Sequence, residues 1–199
     1  GNYGFGYHLD DGRLADRFFN SIEHITAQTV TIIWPGRRES FDNYRMFQSR
    51  FLYPGCDEST NCKMTLFHDN LVQIHLLNLD QLLLDPKADK EEFLNSFVQS
   101  LNNELNNKPE SNQWLMVFTN VNFYCSSQNV NDGCITNLYL LKEFEDIFEL
   151  YGVHLVVSAA SMNYESVRNV YNFEVRQSFD SPRNYIIAGI AGCHNYLTL

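Results

Sequence analysis

The chain has 199 residues, of which 44% are hydrophobic and 14% aromatic, and its formal net charge is −10. Those proportions suit one well-buried globular unit. The acidic balance excludes the basic footprint that nucleic acid or an anionic membrane surface requires, and no apolar run reaches the ~18 residues of a membrane span.

In chain order, Asp10 and Asp11 stand where they would cap a helix whose apolar positions are Leu14, Phe18, Ile22 and Ile25. Val30–Trp34 is a β-branched run ended by Pro35-Gly36 and predicts a buried strand. Phe41, Tyr44, Phe47 and Phe51 recur at three and four, which predicts a second helix. Met64–Phe67 and Leu71–Asn78 predict two strands joined through His68-Asp69-Asn70. Lys87–Asn106 predicts a third helix, with Phe93, Phe97, Leu101 and Leu105 on one face, and Leu115–Phe118 a strand. A fourth helix carries Leu138, Leu141, Phe144 and Phe148, with Gly152 placed as its C-terminal cap. Val153–Val157 and Tyr185–Ile190 predict two more strands, and Gly189–Gly192 a closing turn. Strands alternating with helices argue for a layered α/β domain.

Cys56 and Cys62 bracket one polar loop, and Cys125 and Cys134 bracket another. Such close pairs suit local disulfides in an oxidising compartment, outside the cell or in an organelle lumen. Each short loop would add roughly 2–3 kcal/mol. Buried free thiols are the second reading. Zinc is the third, against which stand spacings too wide for CxxC. Cys193 is left over. The six histidines do not cluster in sequence, and His75 and His154 lie in strand-like runs as core or surface histidines. The chain opens on Gly1, so its lack of a leader segment carries no information.

Two stretches carry a family resemblance. Gln113–Ser127 resembles the "WLIVxGHRPxYCSS" segment of purple acid phosphatases, and Tyr151–Glu165 resembles their "YxVDLVxSGHVHNYE". Tyr7–Phe18 is similar to the stretch that begins with the tyrosine of their "GDxxY". Trp34–Glu39 falls at "PGNHE", Phe41, Tyr44, Arg50 and Phe51 match "FxxYxxRF", and Ile186–Gly192 resembles "IVxGxxG". These pieces are collinear over nearly the whole chain. The resemblance implies a calcineurin-like metallophosphoesterase fold, a layered α-β-β-α sandwich. The family's first motif has no counterpart, so residues 1–199 are expected to be a single, partial domain lacking the N-terminal part.

The resemblance also implies a dinuclear metal site, and here the chain departs from it. Tyr7 matches the ligand tyrosine, but Gly4 or Asn2 falls where the bridging aspartate should be. Arg37 replaces the ligand asparagine, and Arg38 the histidine beside it. Asn120, Ala160 and Met162 replace three further histidines. Guanidinium repels a dication, alanine has no donor atom, and a thioether suits a hard metal poorly. The expectation is a pseudoenzyme with no catalytic residue, cofactor or bound metal, kept as a structural or interaction module. Its partners would be other subunits or the remainder of the domain. Two alternatives stay open. One is a divergent phosphoesterase completed by another segment or chain. The other is an anion- or glycan-binding module, with Arg37 and Arg38 gripping an anion or instead pairing with Glu39 and Asp16.

Overall fold

In the computed structural model the chain forms two compact units, Gly1–Thr60 and Asn61–Leu199. The structure describes residues 9–29, 31–36, 39, 44–51, 63–68, 71–79, 82, 89–105, 114–126, 138–161, 163–176 and 184–189.

In the first unit, helix α1 spans Arg13–Thr26. The expected aspartate cap does not form. Asp10 and Asp11 turn through φ 53° and 52°, and Gly12, at φ 81°, enters the helix instead. A left-handed entry points the aspartates away from the first helical N–H groups, and Asp10 pairs with Arg13 at 3.5 Å. Arg50 then ties the start of α1 to the chain that follows, donating to the Gly12 carbonyl at 3.1 Å and to Asp16 at 2.9 Å. The apolar face is rotated from the expected one: Ala15 is buried with Phe19 packed beside it, while Ile25 is exposed.

The second predicted helix is reduced, in its described part, to α2, Arg45–Gln48, entered from Tyr44 at φ 62°. Its Phe47 packs with Ala15, Ile33 and Tyr44. The ring of Phe51 lies 5.1 Å from that of Phe19. The predicted Val30–Trp34 strand is a correction. Residues 31–36 belong to no strand of the described residues, although Ile33 and Trp34 are buried. A β-branched run fixes burial, whereas a strand also needs a neighbour for its ladder.

In the second unit, β1 (Lys63–His68) and β2 (Val72–Leu77) form the predicted antiparallel hairpin. There follow α3 (Lys90–Leu105), β3 (Trp114–Thr119), α4 (Leu138–Leu150), β4 (Leu155–Ser158), β5 (Tyr164–Arg168), β6 (Val170–Tyr171), β7 (Glu174–Val175) and β8 (Asn184–Ala188). Asp89 caps α3, accepting a bond from the Glu92 N–H at 2.9 Å. The strands order as β1-β2-β3-β4-β8-β5 in one six-stranded sheet, with β6 and β7 as a separate ribbon. β2, β3, β4 and β8 run parallel, and the edge strands β1 and β5 run antiparallel to them. β5 escaped the sequence reading because its side chains alternate only between exposed and half-buried, so no hydrophobic period marks it.

One face of the sheet bears Leu77, Leu115, Val117, Val156 and Tyr185, packed against Phe93 and Phe97 of α3 and Phe144 and Phe148 of α4. Both helices lie on the same face because successive right-handed crossovers step the same way across β2, β3 and β4. Each buried phenylalanine contributes roughly 1.5–3 kcal/mol. The opposite face presents Ile74, Met116, Phe118, Leu155, Val157 and Ile186, all half-buried. No helix among the described residues is long and apolar enough to cross a membrane.

Two glycines make opposite demands. Gly152 ends α4 at φ 65°. Its N–H donates to the Glu149 carbonyl at 3.2 Å, and the Val153 N–H to the Phe148 carbonyl at 2.9 Å, the left-handed cap expected of this position. A Cβ there would meet nothing within 4 Å, whereas at Gly189 it would fall 1.5 Å from the Ser161 carbonyl oxygen. Gly152→Ala is therefore expected to cost about 1 kcal/mol of conformational strain alone. Gly189→Ala should cost far more, since the Ser161 backbone must move. Denaturant unfolding of both variants checks the order, and equal losses would contradict it.

Candidate functional site

In open sheets with parallel strands, sites form at the carboxyl ends of the strands. Here β2 runs out into Asn78 and Leu79, β3 into Asn120 to Asn122, and β4 into Ala159 to Ser161. The apolar strands deliver these polar residues into buried positions: Asn78 is 1% exposed, Asn122 0%, Ser158 5% and Ser161 4%.

The side chains there bond chiefly to one another. Asn122 is the hub. Its Oδ1 accepts the Ser158 hydroxyl at 2.6 Å and the Ala160 N–H at 3.4 Å, and its Nδ2 donates to Ser161 Oγ at 2.5 Å. Asn120 joins the neighbouring strand ends. Its Nδ2 donates to Asn78 Oδ1 at 2.6 Å, and its Oδ1 accepts the Leu79 N–H at 2.9 Å. Burying amides and hydroxyls is tolerable only when they are paired in this way. A second tie crosses the loops: Glu165 accepts Asn163 Nδ2 and, at 2.8 Å, the Ser126 N–H, while the Gly189 N–H donates to the Asn163 carbonyl at 3.0 Å.

Of the site positions read from sequence, the structure describes Asn120, Ala160 and Cys125, and it brings Asn120 and Ala160 to the same end of the sheet. Gly4, Tyr7, Arg37, Arg38, Met162, Cys56, Cys62 and Cys134 lie outside the described residues. Cys125 is disulfide-bonded. Asp16 is engaged by Arg50 at 2.8 Å, and Glu39 accepts the Gly36 N–H at 2.8 Å.

A dinuclear metal centre needs converging charged or imidazole donors. The described positions do not fit one. Asn120 has its amide oxygen held by a backbone N–H, Ala160 offers only backbone, and no three His, Cys, Asp or Glu among the described residues are placed to hold an ion. The sequence reading missed Asn78, Asn122 and Ser158. Their only signal was an asparagine or serine closing an apolar strand. His75 and His154 are structural. His75 is buried, 2.8 Å from Gln73 Nε2, and His154 Nδ1 accepts the Leu115 N–H at 3.1 Å. A groove of about 820 Å³ in the first unit is lined by Phe19, Ile33 and Phe51, by Glu23 and by the Asp16–Arg50 pair.

No protein-family model matches the chain. Among curated proteins it is similar to acid phosphatase type 7 of Homo sapiens, 27% identical over all of this chain and 48% of the relative. The Mus musculus protein of the same name is 25% identical, again over all of the chain and 48% of the relative. That of Danio rerio is 24% identical over 97% of the chain and 48% of the relative. The chain thus spans about half the length of these relatives. Among solved structures, a purple acid phosphatase from yellow lupin (Lupinus luteus) seeds superposes with a TM-score of 0.57 at 14% identity, over 79% of this chain and 29% of that one. That likeness speaks for the fold alone, but it agrees with the motif order and with the relatives: the chain carries a purple acid phosphatase-like metallophosphoesterase domain.

Proposed function

We propose that this chain is a catalytically inactive purple acid phosphatase-like domain serving as a structural or interaction module in a larger assembly. One observation carries the reading: the strand ends are occupied by a neutral network in which Asn122, Ser158 and Ser161 satisfy one another and Asn120 is spent on Asn78 and Leu79. Groups bonded in this way are not free to bind a metal or orient a substrate. Replacement of the ligand residues at Gly4, Arg37 and Met162 is part of the same proposal. The disulfide at Cys125 accords with an oxidising compartment, with Cys125–Cys134 and Cys56–Cys62 as the proposed pairs. Its partners would be other protein subunits or polypeptide beyond residues 1–199.

A second reading is favoured by the relatives. They are named acid phosphatases, and the chain spans only about half of their length. A phosphoesterase completed by another segment would draw its ligands from there.

Elemental mass spectrometry on protein purified without chelators separates the two. We expect a metal-to-chain ratio near zero, and a stoichiometric pair of metals would overturn the inactive reading. The stability of Asn122→Ala gives a second check. Active-site groups are often replaced at no cost to stability. Here the substitution strands two hydroxyls at 5% and 4% exposure and should cost roughly 2–4 kcal/mol. An unchanged or raised melting temperature would argue for a residue kept for binding.

A further inference from the structure

The groove of about 820 Å³ is lined wholly by residues of the first unit. Its volume lies within the roughly 300–1,000 Å³ of small-molecule sites. Asp16, Phe19, Asn20, Glu23 and Thr26 follow one another at three or four residues, so they share one face of α1 and form one wall. Ile33, Arg50 and Phe51 belong to the rest of the lining. The apolar part is held in place from behind. The Phe51 ring stands edge-on to Phe19 at 5.1 Å and lies 5.1 Å from Phe47, and Ile33 is 7% exposed.

The polar part is one-sided, because its strong donors are spent. Arg50 has five N–H groups, and each has a partner inside the unit. Nε donates to Asp16 Oδ1 at 2.9 Å, Nη1 to the Met46 carbonyl at 2.8 Å and to Ser49 Oγ at 3.5 Å, and Nη2 to the Gly12 carbonyl at 3.1 Å and to Asp16 Oδ1 at 2.8 Å. The Thr26 hydroxyl donates to the Glu23 carbonyl at 3.2 Å and the Thr31 hydroxyl to the Thr29 carbonyl at 3.0 Å. Asn20 and Thr29 add only neutral groups. Acceptors are left over. Glu23 is exposed, and its carboxylate meets no cation and no N–H among the described residues. Both Arg50 contacts to Asp16 fall on Oδ1, and that side chain is 55% exposed, so Oδ2 is a second acceptor.

We propose that this groove binds a small organic cation, an ammonium group joined to an apolar ring or chain, with the ammonium at Glu23 and the apolar part against Phe19, Ile33 and Phe51. An apolar trough with a few convergent polar groups is the usual form of a small-molecule site, and here the convergent charge that lacks a partner is negative. An anion would meet a guanidinium whose N–H groups are all engaged. A neutral apolar molecule would gain nothing from Glu23. The formal net charge of −10 favours the approach of cations. A stable protein interface takes roughly 20–30 residues a side, whereas ten line this groove.

Titration of the full chain with phenethylammonium at low salt, followed by NMR at the Asn20, Glu23 and Thr31 amides, tests this. Saturable shifts with a Kd of about 1 mM or tighter are expected. Hydrocinnamate, an anion of similar shape, should bind at least about tenfold more weakly. Glu23→Gln should weaken the cation about fivefold. Asn20→Arg sets a guanidinium one turn from both Asp16 and Glu23 and should abolish the shifts. Both substitutions are at exposed positions of α1, so the unit should stay folded, and the unchanged spectrum of the remaining amides checks that. No saturable shift, equal binding of the anion, or unchanged affinity in either variant would overturn the proposal.

Discussion

Burial of one sheet face under four phenylalanines is the constraint on which the second unit depends. Phe93 and Phe97 of α3 and Phe144 and Phe148 of α4 cover Leu77, Leu115, Val117, Val156 and Tyr185. A one-residue slip of any strand would turn its apolar set away from the helices. The register of β2, β3 and β4 is therefore locked, and with it the height at which each strand ends. Asn78, Asn120, Asn122 and Ser158 meet because the layer beneath them permits no other alignment.

The same constraint explains why the strand ends are so fully hydrogen-bonded. Side chains delivered there are cut off from water, and an unsatisfied amide or hydroxyl costs roughly 1–3 kcal/mol. At these strand ends the demand is met by a neutral network centred on Asn122. Nothing in that network carries charge, which is why it can sit at almost zero exposure. Among the described residues of this unit the Glu145 carboxyl is buried as deeply, and it is satisfied differently, by two tyrosine hydroxyls and a turn N–H.

Elements with a strong local signal were legible. The four-residue spacing of Phe93 and Phe97, the period through Leu141, Phe144 and Phe148, and the apolar runs of β2, β3, β4 and β8 all appear where their patterns predict. Gly152 was legible as a cap because only a left-handed residue ends a helix in that way. Asp10 and Asp11 misled because capping residues are recognised by type, whereas backbone direction decides whether they cap. Val30–Trp34 misled because a burial pattern says nothing about a neighbouring strand. β5 and the β6–β7 ribbon were invisible because they are held by an edge ladder and by carboxylates on α4, not by hydrophobic periodicity.

By itself the sequence determined the α/β class, the helices and the central strands of the second unit, and the order of motifs in which the chain resembles purple acid phosphatases. It also determined which atoms Asn120 and Ala160 can offer, since neither can supply an imidazole whatever surrounds it. Only the tertiary structure decided what the residues at the strand ends bond to. The partners of Asn120 lie 41 and 42 residues away, and those of Asn122 lie 36 to 39 away. Contacts at such separations are set by sheet register and helix packing, which no local pattern encodes.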